Sequence, residues 1–461
     1  MFASVFVPRT NKLERGEEKV RNRLLAKIAI ILLLVSIFSA LPVVSATPLF
    51  SVGELYAVPM SAMGEAAEGL GSGPKATFNL DMIDVENIAG EGEGIYVAVI
   101  DTGMLPHWMH YFPEEQIVTE WATAFHWELP SWRTVEVPDA WDEALSGHGT
   151  HVASTIAGYN WLTGKAVHQV PGVASKVKII PIKALWWMWE YETSVATADC
   201  IATAIDYATS LAKRHGIKLV INLSLGGGSP SSRIERAINK AIREGVIVVA
   251  AAGNAGTAGM DWPGAFPQVI SAGMAGWTGQ WWGGWAGLWD EDWWQYDVPE
   301  DLMTPAPSSA VFGFRGGTQV YMSYLSGREK PGQDLDVAAP GSWVHGPYWT
   351  PLWGPLPADP RECYGWVGGT SMATPHVAGT AALMLEKDPS LEQSDVEMIL
   401  ETTAYLDPIT YLNGGWLDPN PYMAIFTLHW NYPPGWYYDS WDNDAVGEGF
   451  LQADAAVAYL G

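Results

Sequence analysis

VIDTG at Val99–Gly103, SGHGTHVA at Ser146–Ala153 and GGTSMATPHVAG at Gly368–Gly379 are the stretches that say most about the fold of this sequence. The first of them completes the apolar run Ile95–Ile100 and places Asp101 directly after it. A short apolar run that ends in a polar residue and a glycine is typical of a buried parallel strand. We therefore expect a parallel sheet with functional side chains at the carboxyl ends of its strands.

Further strands and helices alternate along the chain. Short apolar runs bounded by Gly, Pro or polar residues predict strands at Val177–Ile182, Leu219–Leu223, Val246–Ala251 and Val269–Ala272. Helices are predicted at Ala196–Lys213, at Ser232–Glu244, and in the run of small residues after Ser371. This alternation predicts an α/β fold of three layers, in which helices cover both faces of a mostly parallel sheet.

Asp101, His148 and Ser371, one in each of the three quoted stretches, indicate a nucleophilic site. A serine hydroxyl is a weak nucleophile until a histidine accepts its proton, and a carboxylate fixes the tautomer of that histidine and stabilises its charged form. The three stretches and their order along the chain resemble those of the subtilisin-like serine proteases. The resemblance implies that these residues form a catalytic triad, which hydrolyses peptide bonds through an acyl-enzyme and needs no cofactor.

The spacing of His148 and His151 also fits a different kind of site, a pair of zinc ligands. No third ligand candidate lies near them in the sequence, and the surrounding HGTHVA matches the protease pattern. We therefore predict no metal ion in the catalytic site.

Two more stretches resemble the same family, VINLSLGGG at Val220–Gly228 and VIVVAAAGNAG at Val246–Gly256. The resemblance implies that the first contains the strand that pairs with the substrate backbone, at Ser224, Leu225 and Gly226. It implies that the second contributes Gly253 to the substrate site and Asn254 to the oxyanion hole. An amide aimed at the developing oxyanion suits that chemistry.

Asp261 is the one candidate for substrate preference. Alignment of AGNAGTAGMDWPGAFP with the family pattern puts Asp261 near the base of the pocket for the residue before the scissile bond. A carboxylate there would favour Arg or Lys, and an exposed loop position is the alternative.

The resemblance extends from about Thr77 to Gly461 and includes LDVAAPG (Leu335–Gly341) and GEGFLQADAAV (Gly447–Val457). Insertions without a counterpart lie at about 104–145, 274–325, 343–366 and 405–446. All 25 tryptophans lie between Trp108 and Trp441, mostly outside the predicted strands and helices. We expect these side chains to pack the insertions onto the core; an exposed aromatic surface for a polymer or partner is the alternative.

The first 46 residues predict a signal peptide. A basic part from Arg9 to Lys27 precedes the apolar run IAIILLLVSIF, and Val44–Ala46 offers small residues for cleavage. An uncleaved membrane anchor is the alternative, because the whole uncharged stretch Ile28–Ala46 approaches the length of a membrane span. The prediction is therefore a protein secreted to the extracellular space or the cell surface.

Residues 47–76 read as a short leader or linker before a catalytic domain at 77–461. Many members of the family carry a folded pro-domain that inhibits the enzyme, and this segment is too short to fold as one, so we expect a short leader and no resident inhibitor. The stretch YNWLTGKAVHQVPG after the helix of His148 lacks the oxygen ligands of a calcium loop found in several members. Structural calcium could instead bind the acidic clusters Asp290–Asp292 and Asp439–Asp444, for which solvated loop carboxylates are the alternative.

The net charge of −26 argues against nucleic acid as a partner and favours a soluble monomer. Cys200 and Cys363 could form a disulfide or remain two separately buried thiols.

These features together predict a secreted serine endopeptidase that acts on protein or peptide substrates. Two alternatives are a catalytically silent binding protein on the same fold and a processing protease with one dedicated target. The intact triad and Asn254 argue against the first, and narrow cleavage specificity would reveal the second.

Overall fold

The structure is a computed structural model that describes residues 49–52, 56–59, 77–163, 166–277, 320–323, 325–405, 415–416, 438–439 and 443–461. The predicted signal peptide and the acidic cluster Asp290–Asp292 lie outside these residues, as do most of the predicted leader and part of the cluster Asp439–Asp444.

Strands and helices are interspersed along the whole described part of the chain. In chain order the strands are β1 (Leu49–Val52), β2 (Tyr56–Pro59), β3 (Ile95–Asp101), β4 (Thr123–Glu128), β5 (Arg133–Glu136), β6 (Tyr159–Thr163), β7 (Ala166–Val170), β8 (Lys178–Lys183), β9 (Trp186–Met188), β10 (Thr193–Thr197), β11 (Lys218–Leu223), β12 (Leu225–Gly226), β13 (Ile247–Ala251), β14 (Ile270–Trp277), β15 (Val320–Met322), β16 (Val337–Pro340), β17 (Val344–Pro347), β18 (Tyr364–Gly368), β19 (Gly415–Trp416) and β20 (Tyr438–Asp439). The α-helices are α1 (Phe78–Asp81), α2 (Trp108–Tyr111), α3 (His148–Ala157), α4 (Ala198–His215), α5 (Ser232–Arg243), α6 (Thr370–Lys387), α7 (Gln393–Thr403), α8 (Asn443–Val446) and α9 (Ala453–Ala458).

Among the described residues, the central sheet contains nine strands in the order β15-β14-β13-β11-β3-β8-β4-β5, with β16 also paired to β14. Strands β16, β14, β13, β11, β3, β8 and β4 run parallel to their neighbours, and β15 and β5 are antiparallel. The five strands predicted from apolar runs are β3, β8, β11, β13 and β14. The predicted mostly parallel sheet is therefore confirmed.

Helices cover both faces of this sheet because its buried side chains alternate between two cores. On β3, Val97 and Val99 belong to the core that also contains residues of α3 and α6. Ala98 and Ile100 belong to the second core, together with residues of α4 and α5. The predicted arrangement of three layers is confirmed.

The described parts of the insertions are mainly attached to the core through buried aromatic side chains. Trp108, Trp127 and Trp343 are all at most 5% exposed, whereas Trp189 is 64% exposed. The packing interpretation therefore holds for most tryptophans whose surroundings the structure describes. Most of the tryptophans in 277–294 lie outside the described residues.

Three smaller features bear on the cysteines, the stretch compared with a calcium loop and the alternative of a membrane anchor. Cys200 and Cys363 are separate, buried free thiols, so they do not form a disulfide. The stretch after the helix of His148 forms the antiparallel hairpin β6–β7. Among the helices that the structure describes, none is long and apolar enough to cross a membrane.

Candidate active site

Asp101 and His148 meet where β3 ends and α3 begins. Nδ1 of His148 lies 2.8 Å from Oδ1 and 3.0 Å from Oδ2 of Asp101. Both side chains are fully buried. A carboxylate at Nδ1 favours the tautomer that carries its proton there, which makes Nε2 the basic atom of the ring.

Thr102 ties these two residues together, although the sequence analysis gave it no function. Its backbone N–H donates to Oδ1 of Asp101 at 2.6 Å. Its hydroxyl donates to the carbonyl of Ser146 at 3.0 Å and accepts from the backbone N–H of Gly149 at 2.9 Å. The hydroxyl thus holds the backbone just before and just after His148 at the end of β3. Its position in VIDTG, beside Asp101, was the only signal in the sequence.

Ser371 is the second residue of α6, at the positive end of an 18-residue helix. Its hydroxyl donates to the carbonyl of Ser224 at 2.9 Å, and its own carbonyl accepts from the Ser224 hydroxyl at 2.8 Å. The Asn222 side-chain amide in turn donates to the Ser224 hydroxyl at 2.9 Å. This network holds the segment predicted to bind substrate directly against the predicted nucleophile.

Asn254 is anchored to the same helix end by its side-chain oxygen. Oδ1 accepts from the backbone N–H and the hydroxyl of Thr370, both at 3.0 Å. The Thr370 hydroxyl also accepts from the backbone N–H of Gly253 at 3.1 Å. Because Thr370 binds the oxygen, the N–H donors of the Asn254 amide lie on its other side. Thr370, which the sequence analysis did not single out, therefore orients this amide.

A cavity of about 220 Å³ adjoins these residues. It is lined by Ser51, Val52, Leu225, Gly226, Ala251, Gly253, Asn254, Ala255 and Asp261. The structure thus brings Leu225, Gly226, Gly253, Asn254 and Asp261 together around one cavity.

Asp261 packs closely against two glycines of the cavity wall. A Cβ atom added to Gly226 would lie 2.7 Å from Cβ of Asp261, and one added to Gly253 would lie 2.5 Å from its Oδ2. Gly253 also has a φ of 94°, in the region that favours glycine. Burial raises the pKa of Asp261, and the backbone of Asn254 opposes that shift. Its effect on substrate preference stays a prediction.

A strand of the predicted leader lies along the predicted substrate-binding segment. Strand β1 pairs antiparallel with both β12 and β10, with Ser51 opposite Gly226 and Val52 opposite Leu225. Strand β2 pairs antiparallel with β18, with Tyr56 opposite Gly368, which precedes Ser371 by three residues. The sequence pattern does not predict this arrangement, because two four-residue strands are too short to leave a recognisable pattern.

His151 is directed to a different partner from His148. Its Nε2 donates to the carbonyl of Val344 at 3.0 Å, and burial lowers its pKa to about 3. His148 thus uses Nδ1 for Asp101, whereas His151 uses Nε2 for the carbonyl of Val344. A shared zinc ion has no support in this arrangement.

Comparisons with known proteins agree with this geometry. A model of the subtilase family matches residues 92–433. Subtilisin DY of Bacillus licheniformis is 33% identical over 263 residues, which cover 56% of this chain and 70% of that protein. Subtilisin Savinase of Lederbergia lenta is 29% identical over 313 residues, which cover 68% of this chain and 84% of that protein.

Two solved structures share the fold. S41 Psychrophilic Protease has a TM-score of 0.53 and 24% identity, and the match covers 83% of this chain and 99% of that one. Sphericase has a TM-score of 0.52 and 23% identity, with 82% and 98% covered.

Proposed function

Because the chain belongs to the subtilase family of serine peptidases, we propose that Asp101, His148 and Ser371 are its catalytic triad. The observation that carries this proposal is the buried contact between Asp101 and His148 at 2.8 Å. The reaction is hydrolysis of peptide bonds in proteins through an acyl-enzyme.

In this mechanism the Ser371 hydroxyl leaves the carbonyl of Ser224 and attacks the scissile carbonyl carbon while Nε2 of His148 takes its proton. The same proton then passes to the leaving amine, whose departure forms the acyl-enzyme. A water molecule, activated by His148, releases the acyl group and restores the serine. Asp101, held by the Thr102 N–H, stabilises the charged imidazole during both steps.

The developing oxyanion is stabilised by groups around the nucleophile. The amide of Asn254 supplies one donor, since Thr370 binds the oxygen on its other side. The start of α6 adds the positive end of a helix dipole at Ser371. Neither interaction needs a cofactor.

The substrate is an extended segment of polypeptide. Strand β1 supports this proposal, because an extended segment of this very chain pairs with Leu225 and Gly226 between β12 and β10. Pairing of this kind supplies affinity through the backbone and reads the side chains in pockets. A cavity next to Asp261 would receive one of those side chains.

The leader, in this proposal, covers the cleft until it is displaced or cut. Ser51 and Val52 line the same cavity as Asp261, so a substrate and β1 compete for one place. The signal peptide directs export, and the catalytic domain at 77–461 works outside the cell. The part of the leader that covers the site is thus the short strand β1, and not a separately folded inhibitory domain.

The test is casein hydrolysis by protein that starts at Thr47, beside a Ser371→Ala variant made in the same way. We expect hydrolysis by the first and a loss of about 10⁶-fold in the second. The amino terminus of the active protein should lie beyond Val52, whereas the variant should retain Thr47. Equal rates in both would contradict the triad.

A third preparation separates the proposal from a silent binding protein on the same fold. The catalytic domain 77–461 is refolded together with a separate leader peptide 47–76. The mixture should hydrolyse casein only after the peptide has been digested. Absence of hydrolysis from a folded preparation lacking the leader would favour the binding protein. Fragments cut at one site only would indicate a dedicated processing protease.

A further inference from the structure

Strand β8 carries a lysine at each end, one at each edge of the central sheet. Lys178 begins the strand at the amino edge, where the parallel strands start. Lys183 ends it at the carboxyl edge, where it pairs with Asp101 of β3. Lys178 is partly exposed, whereas Lys183 is only 4% exposed. A buried ammonium group is costly unless neighbouring groups compensate its charge.

The ammonium group of Lys183 contacts a backbone carbonyl and an aromatic ring. Its Nζ donates a hydrogen bond to the carbonyl of Glu143 at 3.2 Å. The same atom lies 4.0 Å from the centre of the Trp186 ring, in a cation–π contact. None of the ion pairs found in the described parts of the chain involves Lys183. The charge is thus compensated by a carbonyl dipole and a ring face instead of by a paired carboxylate.

The carbonyl that Lys183 binds belongs to the chain segment that carries His148 into the site. Glu143 lies in the segment 141–147, which leads directly into α3. Further along this segment, the Ser146 hydroxyl accepts from the backbone N–H of His148 at 3.4 Å. Lys183 therefore adds a hydrogen bond from the end of β8 to the segment that places the predicted catalytic histidine.

The ring that Lys183 contacts belongs to the sheet that the substrate is proposed to enter. Trp186 is the first residue of β9, and its Nε1 donates to the carbonyl of Phe125 at 2.8 Å. Its backbone pairs with Val195 of β10, the strand that also pairs with β1. The Lys183 ammonium group thus lies between this sheet and the segment before His148.

We propose that Lys183 is a positioning residue, which holds the segment before His148 against the substrate-binding sheet. This inference rests on the proposed function, because the effect of Lys183 on turnover passes through His148. The lysine acts through the Glu143 carbonyl and the Trp186 ring, and not by contact with the substrate. A small displacement of a residue that transfers a proton slows the reaction strongly, since the reacting groups must be aligned.

The charge of Lys183 changes within a pH range that an assay can cover. Burial lowers the pKa of Lys183 to about 8, against smaller opposing effects of Glu143 and Asp142. The other titratable neighbours are His126 on β4 and Asp101 on β3. When the proton is lost, the amine loses its cation–π contact and its attraction to the two carboxylates. The restraint on the segment 141–147 should therefore weaken as the pH rises through about 8.

The first test measures kcat on a peptide substrate from about pH 7 to about pH 10, with active enzyme counted by a covalent serine reagent. The kcat of the parent should fall about 10-fold as the pH rises through about 8. Lys183→Arg keeps a charge that does not titrate in this range, so its kcat should stay nearly level. Lys183→Met should be about 10-fold below the parent at about pH 7 and level above it. Lys178→Met is the matched control, because that Nζ also donates to a glutamate carbonyl, and it should follow the parent.

Unfolding of the protein would not explain such a fall in kcat. Between about pH 8 and ~10.4 the unfolded chain binds a proton that the folded Lys183 has lost. The contribution of Lys183 to the free energy of unfolding therefore rises with pH over this range. A parent kcat that stays level through about pH 8, or a Lys183→Met enzyme as active as Lys178→Met, would overturn the proposal.

A second readout does not require hydrolysis. In protein with Ser371→Ala, the low-field proton resonance of the hydrogen bond between His148 Nδ1 and Asp101 reports the geometry of this pair. Its position should change through about pH 8 when Lys183 is present, but not with Lys183→Arg. Trp186→Leu removes the ring face that favours the charged amine, so the change should move to lower pH.

This resonance separates the positioning of His148 from the proposed function. A resonance that changes equally with Lys183 and with Lys183→Arg would overturn the proposal, since the change would then come from another group. The expected change together with a lack of hydrolysis by the parent would support the positioning by Lys183 and contradict the triad.

Discussion

The two edges of the central sheet bury carboxylates in contrasting ways. At the carboxyl edge, Asp101 has both oxygens within 3.0 Å of the His148 ring and a backbone N–H on one of them. At the amino edge, Asp336 has one oxygen satisfied by Ser271 and the other without a hydrogen-bond partner. The first charge is compensated from within the chain, whereas the second needs a proton or an ion from outside.

This difference separates the chemistry available at the two edges. A carboxylate that is paired with a histidine can stabilise a positive charge formed during a reaction, since the ring is already in place. Carboxylates that lie close together repel one another, and protonation of one of them relieves the repulsion. Variants at the two edges should therefore affect different measurements.

The largest effect should come from breaking the pair at the carboxyl edge. Asp101→Asn presents an amide to Nδ1 of His148 and favours the wrong tautomer, so kcat on a peptide substrate should fall about 10⁴-fold with KM little changed. Asp139→Asn, at an exposed position, is the control and should keep full activity. An Asp101→Asn enzyme that is as active as the control would show that this carboxylate does not support the histidine.

Asn254→Leu tests the oxyanion donor at the same edge. We expect kcat to fall about 10² to 10³-fold, the range known for removal of such a donor from subtilisin. KM should change little, because the interaction forms only in the transition state. Thr370→Val, which removes the hydroxyl bound to Oδ1 but leaves the amide donors, should cost less. A rise in KM with unchanged kcat would mean that Asn254 only binds substrate.

The sequence predicted the carboxyl edge far better than the amino edge. Asp101, His148 and Ser371 stand in contiguous stretches that can be recognised singly, and strand β3 begins at Ile95 as predicted. The supporting contacts of Thr102 and Thr370 were not predicted, because they depend on how a strand end meets a helix start.

The amino edge was out of reach for a similar reason. Asp336 was quoted within LDVAAPG, but Glu397 and Glu401 reach it only because α7 packs beside the start of β16. The strand β1 was missed because pairing with β10 and β12 requires knowing where those strands lie. Local patterns therefore predicted the main strands and helices and singled out the three candidate catalytic residues, and the contacts around them depend on tertiary packing.

Asp261 is a half-buried carboxylate, more exposed than either Asp101 or Asp336. If it receives a basic side chain of the substrate, Asp261→Ser should lower the ratio of kcat/KM for Arg over Leu before the scissile bond by about 10-fold or more. Matched peptides that differ only at that residue would measure the ratio, with Asp139→Asn as the control. A parent enzyme that prefers Leu, or an unchanged ratio in the variant, would contradict this function of Asp261.

The smallest effect concerns a histidine that has no carboxylate partner among the described residues. Burial lowers the pKa of His345 from 6.5 to about 3, with a smaller effect of His151. Below pH 6.5 the unfolded chain binds a proton that the folded protein accepts only near pH 3, so stability falls as the pH falls through this range. In His345→Phe the new ring can keep the stacking on Tyr364, but it cannot make the hydrogen bond to the Tyr159 hydroxyl. The free energy of unfolding of this variant should therefore be lower than that of the parent at pH 8.

Between pH 6 and 4, however, the His345→Phe variant should lose stability more slowly than its parent, by about 1.4 kcal/mol for each pH unit. Urea unfolding at several pH values, with Ser371→Ala in both proteins, measures this difference in slope. His110→Phe is the control, because that histidine is exposed and its replacement should leave the slope unchanged. Parallel pH profiles for His345→Phe and its parent would show that the folded protein binds the proton as readily as the unfolded chain.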